Sequence, residues 1–228
     1  MNILALDSAT DACSVALGIG GELLERFQLA PRQHARLLLP MVGDVLTEAG
    51  VSLAELDVLA FGRGPGSFTG LRIAAGVIQG LALGTDLPVV AVSDLAALAQ
   101  GAVRERDATQ VLACLDARMG EVYWGAYRRG AAGLVTPMSE ERISAPEAVV
   151  CVAPGEWHGA GPGFAAYPLL QNAPGGRIVK TEPARVPRAS DILRLARAEA
   201  AAGNTVVAEA AIPVYLRDKV AWKKDTVR

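Results

Sequence analysis

The stretch Gly62-Arg63-Gly64-Pro65-Gly66-Ser67-Phe68-Thr69-Gly70-Leu71-Arg72 constrains this chain more than any other. Three glycines and a proline within five residues demand a shaped turn, because glycine adopts backbone angles closed to other residues and proline fixes its own. Before it, Leu56 to Phe61 is a short apolar run rich in Val, Leu and Phe that reads as a strand. After it, Ser67 is a good N-cap and the pattern turns helical through about Leu83, with Gly84 behind it. The loop therefore joins a strand to a helix, and Gly64, Pro65, Gly66, Ser67, Thr69, Gly70 and Arg72 form its framework. Amides exposed at a helix N-terminus can receive an anion or another stretch of backbone. A tight turn with a purely connecting role accounts for the same residues. Two familiar loops are excluded. A phosphate loop needs a lysine after its last glycine, and the first lysine of the chain is Lys180. A serine-hydrolase elbow needs glycine two positions either side of the serine, where Ser67 has Pro65 and Thr69.

With 228 residues, 51% of them hydrophobic, the chain can bury a full core. A net charge of -2 excludes a nucleic-acid binder that works with its whole surface and leaves room only for a local basic patch. Cys13, Cys114 and Cys151 lie far apart without C-x-x-C spacing, so they read as small buried apolar residues of a reducing compartment. Asp7 falls inside what would be the apolar part of a signal peptide, and no long uninterrupted apolar run follows. The expectation is a cytoplasmic protein with no membrane partner.

Taken in order, Ile3 to Asp7 is a buried-strand run ending in an acid, Ser14 to Gly18 returns as a second strand and Glu22 to Leu29 as a third. A helix follows from about Gln33 to Ala49, with Leu37, Leu38, Met41, Val42, Val45 and Leu46 at helical spacing and Gly50 at its end. Past the glycine loop and its helix, Val89 to Val92 is a strand and Ser93 caps a helix through about Ala102. Then the pattern restarts: Val111 to Asp116 again ends in Leu-Asp, and Val122 to Tyr127 returns as a strand. The shared order of strand, turn and strand points to two related halves, residues 1–102 and 103–228. The second half is looser. Residues 146–152 read as helix then strand, Gly159 to Gly163 is a second glycine loop, and Ser190-Asp191 caps a helix through Ala202 that is free to pack back on the first half.

Ile3 to Leu17, Gly64 to Arg72, Leu115-Asp116-Ala117-Arg118-Met119 with Glu121-Val122-Tyr123, and Pro213-Val214-Tyr215-Leu216-Arg217 together resemble the TsaB (YeaZ) family, over nearly the whole chain. The resemblance implies an α/β fold of the actin-like, sugar-kinase-like class, built as two duplicated lobes, each a mixed sheet flanked by helices. It implies a role in placing threonylcarbamoyl on N6 of the adenosine next to the tRNA anticodon. In that family the transfer belongs to a paralogue, TsaD, with which the chain would form a heterodimer, and TsaE supplies an ATPase; alone, the chain would be a homodimer, and its contact with tRNA indirect.

The residues bear on whether the chain is itself a catalyst. The paralogue carries two histidines at i, i+4 that bind metal after the strand matching Val89 to Val92, where this sequence has Ser93-Asp94-Leu95-Ala96-Ala97-Leu98. Its two histidines, His34 and His158, are far apart, so no helical ligand pair can form and no metal is expected. His34, at a helix start, reads as a capping or interface residue. Asp7 and Asp116 sit where actin-like folds face nucleotide phosphates. Asp7, Ser8 and Thr10 with Asp116, and Gly159 and Gly161 near a base or ribose, make the candidate nucleotide site, while both acids also read as turn caps. The first loop, Asp-Ser-Ala-Thr, lacks the glycine of active members, so no tightly bound cofactor is expected, and ATP or ADP only in the complex. For catalysis by this chain alone, kinase or peptidase, the sequence offers no metal set and no Ser/His pair.

Gly76, Gly80 and Gly84 recur at i, i+4, i+8 on the helix after the loop. Each costs about 1 kcal/mol against alanine in a helix. Either the chain's own sheet or a helix of another subunit must come close to that stripe. With His34, Leu38, Met41, Val42 and Val45 of the preceding helix, these glycines form the expected partner face. A basic tail, Arg217, Lys219, Lys223, Lys224 and Arg228 against Asp218 and Asp225, reads as a solvated end or a contact to an RNA backbone.

Overall fold

The computed structural model describes residues 1–217; the basic tail beyond Arg217 lies outside the described residues. In chain order, β1 (Ile3–Asp7), β2 (Ala12–Ile19) and β3 (Glu22–Leu29) form a meander, followed by α1 (His34–Ala49), β4 (Val58–Gly62), α2 (Phe68–Thr85), β5 (Val89–Val92) and α3 (Asp94–Arg106). Then come β6 (Gln110–Arg118), β7 (Glu121–Arg129), β8 (Val135–Pro137), β9 (Arg142–Ser144), β10 (Glu156–Ala160), α4 (Gly163–Ala166), β11 (Arg177–Glu182) and α5 (Ala189–Ala201).

The first sheet has the order β3-β2-β1-β4-β5, with β1, β2 and β3 antiparallel and β1, β4 and β5 parallel. The second repeats it as β8-β7-β6-β10-β11, with β6, β7 and β8 antiparallel and β6, β10 and β11 parallel. This shared order is the duplication expected from the strand, turn and strand pattern that restarts in the second half. Central strands β1 and β4 are buried on both faces, which is why they read as unbroken apolar runs rather than alternating ones.

The helices between the sheets cross over. α1 and α2 cover one face of the first sheet, burying Leu38, Val45, Ala74 and Ile78 against Leu4, Leu6, Leu59 and Phe61. The other face takes α5, from the second half of the chain, through Ile192, Leu193 and Ala196. α3, from the first half, packs Leu95, Leu98 and Ala102 on Val111, Ala113 and Leu115 of the second sheet. α3 runs across the division expected at residues 102–103. Arg104 of α3 bonds Asp191 of α5 at 2.9 Å and ties the two crossing helices together.

Some boundaries differ from the sequence reading, each for a local reason. β4 starts at Val58 because Ser52 and Glu55 close a capping box around a single 3-10 turn at Leu53–Glu55. α3 continues to Arg106, since Ala102 and Val103 are still buried, and ends at Asp107 in a left-handed cap. Residues 146–152 hold one 3-10 turn, Pro146–Ala148, and no strand. α5 is entered from Arg188; Ser190 and Asp191 lie buried inside its first turn, and Asp191 serves Arg104 instead of capping the helix. Gly159 and Ala160 belong to β10, so the second glycine loop begins at Gly161. The three cysteines are free and buried, and burial pushes the Cys13 thiol up to about 11.

Candidate functional site

The glycine loop is the meeting point of the first half of the molecule. Gly66 and Gly70 lie on the β1–β2 turn so closely that a Cβ at Gly66 would sit 2.5 Å from the Ala9 carbonyl, and one at Gly70 1.9 Å from that of Ser8. Ser67 N–H donates to the Ala9 carbonyl at 2.7 Å, and the Ser8 hydroxyl donates to the Gly70 carbonyl at 2.9 Å. Ser67 caps α2 by accepting from Gly70 N–H at 3.3 Å. The close approach that the glycines permit is therefore filled by the chain's own backbone. From the other side comes residue 214: Val214 N–H donates to the Arg63 carbonyl at 2.7 Å, and Gly64, at φ +110°, leaves no room for a Cβ beside the Val214 carbonyl. Thr69 is exposed at the first turn of α2. Arg72 lies over the Phe68 ring at 3.8 Å and reaches the Tyr215 hydroxyl at 3.3 Å. Pro65 follows a cis peptide bond from Gly64.

Beneath the loop two carboxyls meet. Asp7 and Asp94 are both fully buried. Asp94 accepts Gly64 N–H at 2.5 Å and returns its own N–H to the Gly64 carbonyl at 3.0 Å. Asp7 accepts Ala9 N–H at 2.9 Å, and its carboxyl lies beside that of Asp94, both against Gly62. Burial raises both above the usual carboxylate range; repulsion from Asp7 lifts Asp94 further. Asp94 was not singled out from the sequence, where it is one polar residue after a helix cap.

The residues read as a nucleotide site are each held by their own surroundings. Asp7 presents no oxygen to solvent, so in this arrangement it does not fit a metal-phosphate grip. Thr10 Oγ1 accepts Ala12 N–H at 3.2 Å. Asp116 accepts Arg118 N–H at 2.8 Å, meets the Arg118 guanidinium at 3.1 Å and takes the Tyr167 hydroxyl at 3.3 Å. Gly159 faces the Phe164 ring, and Gly161, at φ +112°, backs onto the Cys114 carbonyl. A cavity of about 730 Å³ opens between α3, α5 and the β2–β3 turn, lined by Arg104, Arg194 and Arg197, and it includes none of these residues.

The expected partner face divides in two. Leu38, Met41, Val42 and Val45 are buried against the first sheet, so they are core residues and not surface ones: the same helical spacing serves either role. His34 is also buried, at the start of α1, close enough to Asp7 to favour its charge. His158 lies in the other sheet, 3.8 Å from Glu182, and burial lowers its pKa. Gly76, Gly80 and Gly84, by contrast, are exposed, and a Cβ at any of them would meet nothing within 4 Å. On the same helix Leu83 and Phe68 are 64% and 51% exposed, and Leu39 of α1 is 53% exposed. Among the described residues α2 is the one helix long and apolar enough to cross a membrane by length and composition, and 33% of it is buried. The three exposed apolar side chains fall outside the core stripe, which is the signal that would have found them.

The family model of TsaD, tRNA N6-adenosine threonylcarbamoyltransferase, matches residues 28–224. The tRNA threonylcarbamoyladenosine biosynthesis protein TsaB of Escherichia coli K12 is 48% identical over 227 residues, covering 98% of each chain. Its counterpart from Haemophilus influenzae is 40% identical over 98% of this chain and 97% of its own. The solved structure of YeaZ from Pseudomonas aeruginosa superposes with a TM-score of 0.88 at 49% identity, over 94% of this chain and 99% of that one. The chain belongs to the TsaB (YeaZ) family of tRNA threonylcarbamoyladenosine biosynthesis proteins.

Proposed function

We propose that the chain is a non-catalytic scaffold and activator subunit that supports threonylcarbamoyl transfer to N6 of the adenosine next to the anticodon by its paralogue TsaD, together with the ATPase TsaE. The observation that carries this reading is the outer face of α2. An apolar helix with three glycines on its exposed side, each giving up helix stability, makes physical sense when another backbone lies against it. The chain's own sheet does not fill that space. The partner is a related helix pair: the paralogue in the working complex, and a second copy when the chain is alone. Both assemblies act in the cytoplasm.

Catalysis falls to the partner on this reading. Asp7 at the end of β1 holds Ala9 and lies beside Asp94, Asp116 near the end of β6 is taken by Arg118 and Tyr167, and the two histidines lie apart, His34 in α1 and His158 in β10. Any ATP or ADP is held by the assembled complex, and tRNA is engaged through the partner. Native mass measurement tests the assembly directly. The chain alone should be a dimer, and addition of equimolar TsaD should convert it to a one-to-one heterodimer; persistence of the homodimer beside free TsaD would sink the reading.

A further inference from the structure

We propose that Asp7 and Asp94 share a single proton and form a buried latch whose deprotonation releases the glycine loop and the N-terminus of α2. The geometry carries the inference. The two acids come from opposite ends of the first half, Asp7 closing β1 and Asp94 opening α3, and both are fully buried. Asp7 Oδ2 and Asp94 Oδ1 have no hydrogen-bond donor among the described residues. Gly62 lies against both at once: a Cβ there would sit 2.4 Å from Asp94 Oδ1 and 2.6 Å from Asp7 Oδ1. Two carboxylates in such a space cannot both be charged without large repulsion, and one proton between them removes it.

Each acid grips a separate piece of backbone. Asp7 holds Ala9 N–H, and the Ala9 carbonyl receives Ser67 N–H; Asp94 holds Gly64 N–H. The shared proton is thus the link that fastens the β1–β2 turn, the glycine loop and the start of α3 to one another. The other titratable groups facing the pair are His34 from α1, whose attraction favours the charged form of Asp7, Cys13 from β2, which feels the Asp7 charge, and Glu141 from the loop before β9, whose repulsion favours protonated Asp94. Once the pair loses its proton, mutual repulsion drives the carboxylates apart, and the movement is passed to Gly64 and Ser67, the entry to α2.

The latch is tested on the isolated chain and does not depend on any partner. Side-chain carboxyl carbons of a uniformly ¹³C-labelled sample are followed by NMR from about pH 5 to about pH 9, above the ordinary aspartate range, together with the Gly64 amide. One carboxyl of the pair should titrate within that window, and the Gly64 amide should shift with the same midpoint and exchange faster with solvent above it. Asp94→Asn, which supplies a permanent donor to Asp7 and keeps an oxygen for Gly64, should abolish both titrations and leave the Gly64 amide protected throughout. Asp7→Asn provides the same readout should Asp94→Asn fold poorly. Two ordinary carboxylates fully charged at the acid end of the window, with a flat Gly64 amide, would overturn the proposal.

Discussion

Replacing Gly80 with leucine should raise the stability of the isolated chain and weaken its assembly, two effects of opposite sign from one side chain. Gly80 lies on the exposed side of α2, and a Cβ there meets nothing within 4 Å among the described residues, so the side chain starts into open space. Leucine regains most of the roughly 1 kcal/mol of helix propensity that glycine forfeits. In a chain of this size that is worth about 2–4 °C in Tm. Against a partner helix the balance reverses. A side chain of four carbons must fit where backbone approached backbone, and overpacking of this kind costs roughly 1–3 kcal/mol, or about 5- to 150-fold in Kd. Scanning calorimetry of the isolated variant reports the first effect, though mass action lowers an apparent Tm where a homodimer is lost, so the scan is run at the lowest workable concentration. Sedimentation with TsaD reports the second. A Tm several degrees below wild type in monomeric protein, or an unchanged Kd, would refute the reasoning.

Other substitutions probe the framework. Gly70→Ala places a Cβ 1.9 Å from the Ser8 carbonyl, so the first turn of α2 must leave the β1–β2 turn; the expected loss is about 3 kcal/mol by chemical denaturation, in contrast to the gain at Gly80. Arg104→Ala leaves Asp191, whose side chain is 2% exposed, without its ion-pair partner between α3 and α5, at a cost of about 3 kcal/mol, which urea unfolding will read. Glu182 gives a pH signature. Burial alone would raise its pKa, but bonds from Arg185 and Arg106 outweigh burial and hold it below the ordinary value. Its contribution is therefore present above the unfolded pKa of about 4.3 and lost as pH falls through the lower folded one. Glu182→Gln should flatten that acid limb of a stability-versus-pH curve and leave the neutral region parallel to wild type.

Much of the fold was written locally. β1, β3 and β5 coincide with the strands read from sequence, and Ser67 and Ser93 cap the helices they announce, because strand patterning and helix caps are short-range signals. The strand, turn and strand succession that restarts at Val111 pointed to two related halves, and the two sheets share one strand order. What stayed hidden is long-range. β8 and β9, three residues each, are too short to show a period. The stripe Leu38, Met41, Val42 and Val45 has the spacing of a core face and of a partner face alike, and only the location of the sheet decides that it is core. The glycines of α2 posed the same choice with the opposite outcome, since their outer side is open. Asp7 looked like an acid aimed at phosphate; its partner Asp94 lies beyond four strands and two helices, where no periodicity links them.

The most direct test of the scaffold reading is threonylcarbamoyl transfer to tRNA in a mixture reconstituted with TsaE, comparing this chain alone, TsaD alone and the two together. Product should form at full rate only with both present, and Gly80→Leu should lower that rate in step with its weaker assembly. Full-rate transfer by TsaD without this chain, or any transfer by this chain without TsaD, would contradict it.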